Sequence, residues 1–401
     1  MKRKLKKIYY SRGKGIVFVA TLFVIVMLLS LVMVYSQQVR VFANETEIQH
    51  ANHQTEANVD SAIQAVLAAL SESVSLRSGK IPTAEQLPSK AIATLNGLYW
   101  IIYTSYQEES HAILSYGLTA ENAKINLNTT TLRQLQRSKL MTDQIAGAII
   151  DWKDGNSTPS ANGAETEYYQ TLEPPYRAKN SKFEILDELL LVNGVTPLLF
   201  YGEDLNGNGR LDDNENDGDV SPPLDNSDGV LTPGFMHLFT VYSNQKRRAS
   251  DRGATAGLVN ILYATPRVLR MLPGVTEEDI DLLLITREQL KNGPRTWNAL
   301  IKAEKKLIKF KRPPLSQLTS LQTYQFQAEI VGLSKNGKCF KRVRVIFDTY
   351  PIKNSKKPTP RMIAYRDITH LGWPLDDAIR RDLQRGKTIK EIQDVHGTES
   401  F

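Results

Sequence analysis

The chain has almost no cysteine and little histidine. Cys339 is the single cysteine in 401 residues, and the six histidines are scattered. One thiol cannot form an internal disulfide or supply the grouped thiolates of a structural metal site, so we expect Cys339 to be a small buried side chain. The chain also lacks the H-E-x-x-H and G-x-S-x-G patterns of hydrolases. We therefore predict no catalytic residues.

The body of the chain lacks net charge. The formal net charge is +7, and seven Lys and Arg residues occur among the first 14 residues, where no acidic residue occurs. The remaining chain therefore has equal numbers of basic and acidic side chains. A neutral body has no overall positive field that would attract the phosphates of a nucleic acid.

Charged side chains are missing altogether from 16–35, a run of 20 residues. As an α-helix, this run is ~30 Å long, which is the thickness of the hydrocarbon core of a bilayer. Lys and Arg next to such a helix stay on the cytoplasmic side. The basic start therefore predicts a cytoplasmic N-terminus and places everything after Gln37 across the membrane.

Three interpretations of the apolar run are open. It is an uncut membrane helix, a secretory signal peptide, or a prepilin-type helix that stays attached after its leader is removed. A signal peptide has a shorter apolar core and a small-residue cleavage site, and 36–40 contains no clear site of this kind. A prepilin leader is cut after a glycine between the charges and the apolar run, where Gly13 and Gly15 both lie.

The predicted elements are a long helix, strands, many short helices and a closing hairpin. Helical spacing of apolar residues continues to about Arg77. The apolar stripe consists of Val59, Ile63, Val66, Leu67 and Leu70. Strands are predicted at 98–104, 111–118 and 123–127, short helices between 132 and 308, including 183–192, and a hairpin at 324–350 with Asn-Gly in its turn. This order predicts an α+β fold with a large helical insertion.

A series of motifs in the chain resembles one known family. The motifs, in order, are the glycine-bounded leader, INLN at 125–128, AIIDWKD at 148–154, NGAE at 162–165, YY at 168–169, AKN at 178–180 and LDELLLVNGV at 186–195. In this order they resemble general secretion pathway protein K, the largest minor pseudopilin of bacterial type II secretion. A weaker block at 259–275 resembles the second helical repeat of that family, and the resemblance covers about residues 12–350.

The resemblance implies a pilin-like α+β core with an all-helical insertion and no enzymatic activity. The implied domains are a leader at 1–15, a transmembrane and assembly helix at 16–78, a pilin-like core at 79–127 and 316–350, the helical insertion at 128–315 and a C-terminal extension at 351–401. The protein would be a single-pass protein of the bacterial inner membrane with a periplasmic body. It would be processed by prepilin peptidase and would form the pseudopilus tip with I- and J-type minor pseudopilins, promoting export across the outer membrane.

The leader has one further family feature. Major pseudopilins have a glutamate five residues after the cut, whereas this position is Ala20 if the cut follows Gly15 and Phe18 if it follows Gly13. Protein K characteristically lacks that glutamate. An apolar first mature residue, Ile16, favours Gly15, whereas the family alignment favours Gly13.

An acidic loop in the insertion predicts a calcium site. Residues 204–215 match the twelve-residue calcium loop at each ligand position. The expected ligands are Asp204, Asn206, Asn208, the backbone carbonyl of Arg210, Asp212 and a bidentate Glu215. Gly209 allows the sharp turn, and Leu211 is expected to anchor the loop in a core. The flanking sequence does not indicate a helix pair, so we predict a structural Ca²⁺ site.

The same loop continues with further carboxylates. Nine acidic residues lie between 203 and 228, against one arginine, and they would repel each other without a cation. A possible second site consists of Asp217, Asp219, Asp225 and Asp228. The alternative interpretation is a solvated acidic loop without an ion.

A rival function rests on the segment 269–276, LRMLPGVT. It resembles the hairpin of helix-hairpin-helix proteins, whose backbone amides bind DNA phosphates. The alternative function is thus a membrane-anchored DNA-binding protein. Three acidic residues, Glu277, Glu278 and Asp279, begin the next helix and would repel phosphate, so we expect the hairpin to serve packing and predict no nucleic-acid partner.

Overall fold

The computed structural model describes residues 13–75, 80–106, 112–243, 257–290, 296–350 and 359–397. Most of the predicted leader, residues 1–12, lies outside them. Within these ranges, the α-helices are α1 Gly13–Ser75, α2 Leu132–Leu135, α3 Asp143–Lys153, α4 Thr166–Tyr169, α5 Pro197–Tyr201, α6 Pro266–Arg270, α7 Glu277–Gln289, α8 Trp297–Ala303, α9 Asp377–Gln384 and α10 Ile389–His396. The strands are β1 Ile92–Thr94, β2 Gly97–Tyr106, β3 Ala112–Tyr116, β4 Thr119–Ala120, β5 Ile125–Asn126, β6 Phe239–Thr240, β7 Val259–Asn260, β8 Thr319–Ser320, β9 Gln325–Ser334, β10 Phe340–Asp348 and β11 Arg361–Asp367.

The chain divides into two units, residues 1–53 and 54–401. The described part of the first unit is helical throughout, and its apolar side chains from Ile16 to Tyr35 are exposed. Among the described residues, this is the one helix that is long and apolar enough to cross a membrane. Both predicted cleavage glycines, Gly13 and Gly15, lie in α1, and the choice between them stays a prediction.

In the second unit, the last turns of α1 pack on an antiparallel sheet. Val59, Ile63, Val66 and Leu70 are buried on the predicted stripe and contact alternate residues of β2, β9 and β10. Asn58, also buried, donates its amide to the carbonyl oxygen of Leu333 at 2.8 Å. The amphipathic continuation of the helix is therefore confirmed.

The sheet has seven described strands, and each pairing in it is antiparallel. The main order is β1-β2-β9-β10-β11, with β3 also paired to β2 and β4 to β9. The hairpin of β9 and β10 is confirmed, and Gly337 in its turn has φ +68°. The predicted α+β class is confirmed as well.

The C-terminal extension belongs to this sheet, which the sequence patterns did not indicate. It contributes the edge strand β11 and then α9 and α10. These helices pack on the face opposite α1, where Trp373 meets the ring of Trp100 edge-on at 5.9 Å. The indole N–H of Trp373 donates to the carbonyl of Asp376 at 3.2 Å, in the turn that leads into α9.

The insertion has its own hydrophobic core, and its regular elements are mostly short helices joined by loops. Two short parallel pairs, β5 with β6 and β7 with β8, lie at its junctions with the sheet. The strand predicted at 123–127 was largely wrong, because a 3₁₀ turn at Glu121–Ala123 leaves only β5. The helix predicted at 183–192 is only a 3₁₀ segment, Leu186–Leu191.

The 3₁₀ segment is short because one side chain satisfies the backbone before it. Glu188 accepts hydrogen bonds from the backbone N–H groups of Glu184 and Ile185 and pairs with Lys179 at 2.9 Å. A longer helix would have to break these local bonds.

Candidate metal centre

The acidic loop begins directly after α5, at a point where two chain segments meet. Gly202, with φ +84°, forms an isolated bridge with Pro233. The backbone N–H of Glu203 donates to the carbonyl of Thr232 at 3.0 Å, and the Glu203 carboxylate accepts the N–H of Thr232 at 2.8 Å. The loop from 203 to 232 is therefore closed at its base by both backbone and side chain.

Asp204, the predicted first ligand, organises the first half of the loop. It is 2% exposed, and its two oxygens accept the backbone N–H groups of Asn208 and Gly209, both at 2.9 Å. Gly209 has φ +71°, so glycine meets the backbone requirement of this turn. The hydroxyl of Tyr106 also donates to Asp204 at 2.9 Å. Burial raises the pKa of Asp204 above its usual value despite these bonds.

The two predicted asparagine ligands converge on Asp212. The amide nitrogens of Asn206 and Asn208 donate to Oδ2 of Asp212 at 2.7 and 2.8 Å. Their oxygens accept backbone N–H groups of Asn208, at 2.9 Å, and Arg210, at 2.6 Å. The loop thus brings together the predicted ligands at positions three, five and nine, with the amide nitrogens directed toward the carboxylate.

Glu215, the predicted last ligand, is a buried carboxylate with an unused oxygen. It is 2% exposed; its Oε2 accepts the N–H of Asp212 at 3.1 Å, whereas Oε1 accepts no hydrogen bond. Burial, together with the nearby carboxylates of Asp204 and Asp212, raises the pKa of Glu215 to about 7. An ionised carboxylate in this position has a large unmet need for a positive partner.

The predicted ligands nevertheless do not surround a single point as closely as the ligands of an occupied metal site do. Among the described residues, no group of three or more His, Cys, Asp or Glu side chains is placed to hold a metal ion. Here the asparagine amides lie between the carboxylates. Arg210, whose carbonyl was the predicted ligand at position seven, is exposed.

One expectation about the loop was wrong. Leu211 does not anchor it in a core, because its side chain is 40% exposed. Instead, polar contacts with strands of the sheet hold the loop in place. Thr104 on β2 donates its hydroxyl to the carbonyl of Gly207 at 2.7 Å, and the guanidinium of Arg342 on β10 donates to the carbonyl of Asn206.

Arg342 is itself part of a buried charged group that the sequence patterns did not reveal. Its side chain is 1% exposed and pairs with Glu329 on β9 at 2.7 Å, while Arg344 pairs with the same carboxylate at 2.5 Å. Burial opposes ionisation of Glu329, but the two arginines outweigh it and lower its pKa to about 2. The signal in the sequence is weak: alternating charged residues on two strands, more than 100 residues from the loop.

Three of the four aspartates of the predicted second site, Asp217, Asp225 and Asp228, form turns by accepting backbone N–H groups. Asp225 accepts the N–H groups of Asp217 and Gly218 at 3.0 Å and of Ser227 at 2.6 Å. These bonds outweigh a desolvation effect and lower the pKa of Asp225. Asp228 accepts the N–H of Val230 at 2.8 Å, and Asp219 is exposed. The structure links Asp217 to Asp225 through the backbone, and a second ion there stays a prediction.

The hairpin of the rival DNA hypothesis lies between α6 and α7. Leu269 and Leu272 are fully buried, and Thr276 caps α7. The acidic residues at the start of α7 form ion pairs. The pairs are Glu277 with Arg270, Glu278 with Lys306 and Asp279 with Lys309. The hairpin therefore packs in the core, and Lys306 and Lys309, in the segment after α8, neutralise acidic residues of α7.

The expectation that Cys339 is a buried side chain was wrong. Cys339 is partly exposed, since it follows the β9 turn. Its N–H donates to the hydroxyl of Ser334 at 3.0 Å. Its position in the turn, and not a place in the core, explains its exposure.

These features together define a class: an α+β protein with one N-terminal apolar helix and a helical insertion that contains an acidic loop. The family model for type II secretion system protein K, first domain, matches residues 111–201. The resemblance to type II secretion protein K is thereby confirmed over the first part of the insertion. The matched segment ends just before the acidic loop.

Curated relatives with the name type II secretion system protein K agree. The chain is 36% identical to the protein of Pectobacterium carotovorum subsp. carotovorum over 69 residues, which is 17% of this chain and 21% of that protein. It is 39% identical to the protein of Aeromonas hydrophila over 70 residues, again 17% and 21%. The alignments thus span about a fifth of the length of these relatives.

One solved structure is also similar, the GspK-GspI-GspJ complex of the type 2 secretion system of enterotoxigenic Escherichia coli. The match covers 80% of this chain and 99% of the matched chain, with a TM-score of 0.46 and 15% sequence identity.

Proposed function

We propose that this protein is a non-enzymatic minor pseudopilin of a type II secretion system. The observation that supports this most is the match to protein K at 111–201 in a chain that also has an apolar N-terminal helix continuing onto an antiparallel sheet. In this proposal, the helix anchors the protein in the bacterial inner membrane with its N-terminus in the cytoplasm, and the body lies in the periplasm.

The proposed position is the tip of the pseudopilus, together with I- and J-type minor pseudopilins. The apolar run from Ile16 to Tyr35 has no carboxylate. A glutamate buried in a bundle of membrane helices is costly unless a neighbouring subunit neutralises it, for example with its terminal amine. A tip subunit has no neighbour above it and so does not need the glutamate. Prepilin peptidase would remove the leader.

This proposal is tested by assembly of the full-length chains in membranes. The protein would be coexpressed with I- and J-type pseudopilins and prepilin peptidase, extracted in mild detergent and isolated through a tag on the I-type subunit. We expect all three subunits in one stoichiometric complex. Recovery of an I–J complex from which this chain is always missing would contradict the tip assignment.

We further propose that the loop at 204–215 binds a structural Ca²⁺ ion. The support is the buried, unpaired Oε1 of Glu215 next to the carboxylates of Asp204 and Asp212. Calcium prefers six to eight such oxygens. Asn206 and Asn208 would contribute theirs only if their amides turned over, and Arg210 would add its carbonyl. The positive charge of the ion would neutralise these carboxylates.

A further inference from the structure

A cavity separates the helical insertion from the sheet. Its volume is about 750 Å³, which is within the range of small-molecule sites. One wall consists of residues from β2, β9 and β10, and another of residues from α6, α7 and the segment around His237. Both walls lie in the unit formed by residues 54–401.

Arg287 on α7 lines this cavity and has no carboxylate partner among the described residues. One guanidinium nitrogen donates to the backbone carbonyl of Ile261, and the buried Nε donates no hydrogen bond. Burial lowers the pKa of Arg287 to about 9. Arg287 is partly buried, and a desolvated guanidinium without a carboxylate partner is unfavourable, so this side chain is well placed to receive an anion.

Other cations surround the same space. Lys124, Arg267 and Arg344 also line it. Lys124 donates to the amide oxygen of Gln327 at 2.7 Å, and its contact to Glu121 is longer, at 3.4 Å. Arg344 shares Glu329 with Arg342. Three carboxylates, Asp204, Glu288 and Glu329, line the cavity as well.

His237 also lines the cavity. Its ring lies 4.4 Å from that of Tyr106. Burial, together with the positive charges of Lys124 and Arg344, lowers the pKa of His237 to about 3. The imidazole therefore stays neutral and adds no charge to the cavity.

The cavity is not purely polar. Many apolar side chains contribute to its lining, among them Leu118, Met236, Leu262, Leu284 and Leu290. A ligand that fills this space would therefore combine an anionic group with an apolar body, because a simple ion would leave the apolar lining wet.

We propose that this cavity binds a small amphipathic organic anion. Its carboxylate or phosphate accepts hydrogen bonds from Arg287 in the field of the neighbouring cations, and its apolar part packs against the leucines. Asp204, Leu205 and Gly207 at the start of the acidic loop also line this cavity, but the proposed anion contact is Arg287, which is not one of the predicted calcium ligands. The proposal does not depend on the assignment to the pseudopilus.

The test uses the full-length protein in detergent, with detergent alone as the blank. Binding of 1-naphthyl phosphate is measured by equilibrium dialysis and compared with two probes, inorganic phosphate and protonated 1-naphthylmethylamine. We expect naphthyl phosphate to bind at least about tenfold more tightly than either, equivalent to about 1.4 kcal/mol. Equal binding of the cationic probe, or of phosphate alone, would overturn the proposal.

Variants then locate the site. Arg287→Met should weaken naphthyl phosphate binding at least about tenfold, while the melting temperature without ligand stays the same or rises, because an unpaired buried charge is removed. Leu284→Trp, which fills apolar space without changing charge, should also weaken binding. Arg385→Met on the exposed surface is the matched control and should bind normally. Normal binding by both cavity variants would show that the probe binds elsewhere and refute the assignment.

Discussion

At the scale of single residues, the ionisation of Glu215 is expected to have the largest effect on the stability of the acidic loop. Its buried carboxylate has one oxygen without a hydrogen bond, so the ion-free loop contains a charge that the protein does not neutralise. The same oxygen is available as a ligand for a cation. Removal of the charge should therefore have opposite effects with and without calcium.

Glu215→Gln should abolish the stabilisation by calcium. In excess chelator, this variant should melt at the same temperature as the parent protein or a few degrees higher, because a buried charge is removed. With millimolar Ca²⁺, the parent should gain stability and the variant should not, as measured by calorimetry. Asp213→Asn, at an exposed position of the same loop, is the control and should retain the calcium response. A calcium response that persists in Glu215→Gln would exclude this residue as a ligand.

The calcium response should also depend on pH. The pKa of Glu215 is about 7 in the fold, above the ordinary value of about 4.3 for an unfolded chain. Without ions, the Glu215 carboxyl group contributes stability that is fully present below pH ~4.3 and is lost as the pH rises through 7. Calcium requires the ionised form, so its stabilising effect should be small at pH 5.5 and larger at pH 8. An equal calcium-induced shift in melting temperature at both pH values would contradict this.

At the scale of elements, the loop depends on the strands beneath it. β2 contributes Thr104 and Tyr106, and β10 contributes Arg342, whose own orientation is fixed by Glu329 on β9. These contacts join the insertion to the sheet. The ion pair of Asp187 in the insertion with Arg366 on β11 is a second connection between the two. The loop is thus an element of the domain junction.

Tyr106→Phe tests this coupling with a minimal change. The variant loses the hydrogen bond to Asp204, and a hydrogen bond to a charged group contributes about 1.5–3 kcal/mol. We expect a lower free energy of unfolding and weaker calcium binding, measured by denaturant titration and calorimetry. Tyr103→Phe, on the same strand, should change neither. An unchanged Tyr106→Phe variant would mean that the loop folds independently of the sheet.

At the scale of the whole molecule, the chain combines an apolar helix, a sheet and a helical insertion. The C-terminal extension completes the sheet through β11 and covers one face with α9 and α10. It is therefore structural, and truncation before it would expose Trp100 and the rest of that face. The proposed assembly role, in turn, rests on the N-terminal helix.

The processing of that helix gives a direct prediction. Cleavage after Gly15 should leave a mature chain that begins with Ile16, and intact-mass spectrometry of the protein coexpressed with prepilin peptidase should detect it. Gly15→Leu should block the cut, whereas Gly13→Leu should not. The reverse pattern would identify Gly13 as the cleavage site, and an uncut parent chain would contradict the prepilin interpretation.

The sequence by itself determined the features that depend on local order along the chain. The apolar run at 16–35, the helical stripe that ends in Leu70 and the Asn-Gly hairpin each follow from residue spacing, because helices and tight turns are closed by near neighbours. The acidic loop was found in the same way, since its predicted ligands lie within twelve residues.

Only the tertiary structure decided what those segments contact. Nothing near Leu211 in the sequence shows that it is exposed, nor that Tyr106 and Arg342 support the loop, because these contacts join residues about 100 or more positions apart. The place of β11, the exposure of Cys339 and the cavity beside Arg287 are likewise products of packing. Burial and charge pairing between distant segments depend on the completed fold, and local patterns do not contain that information.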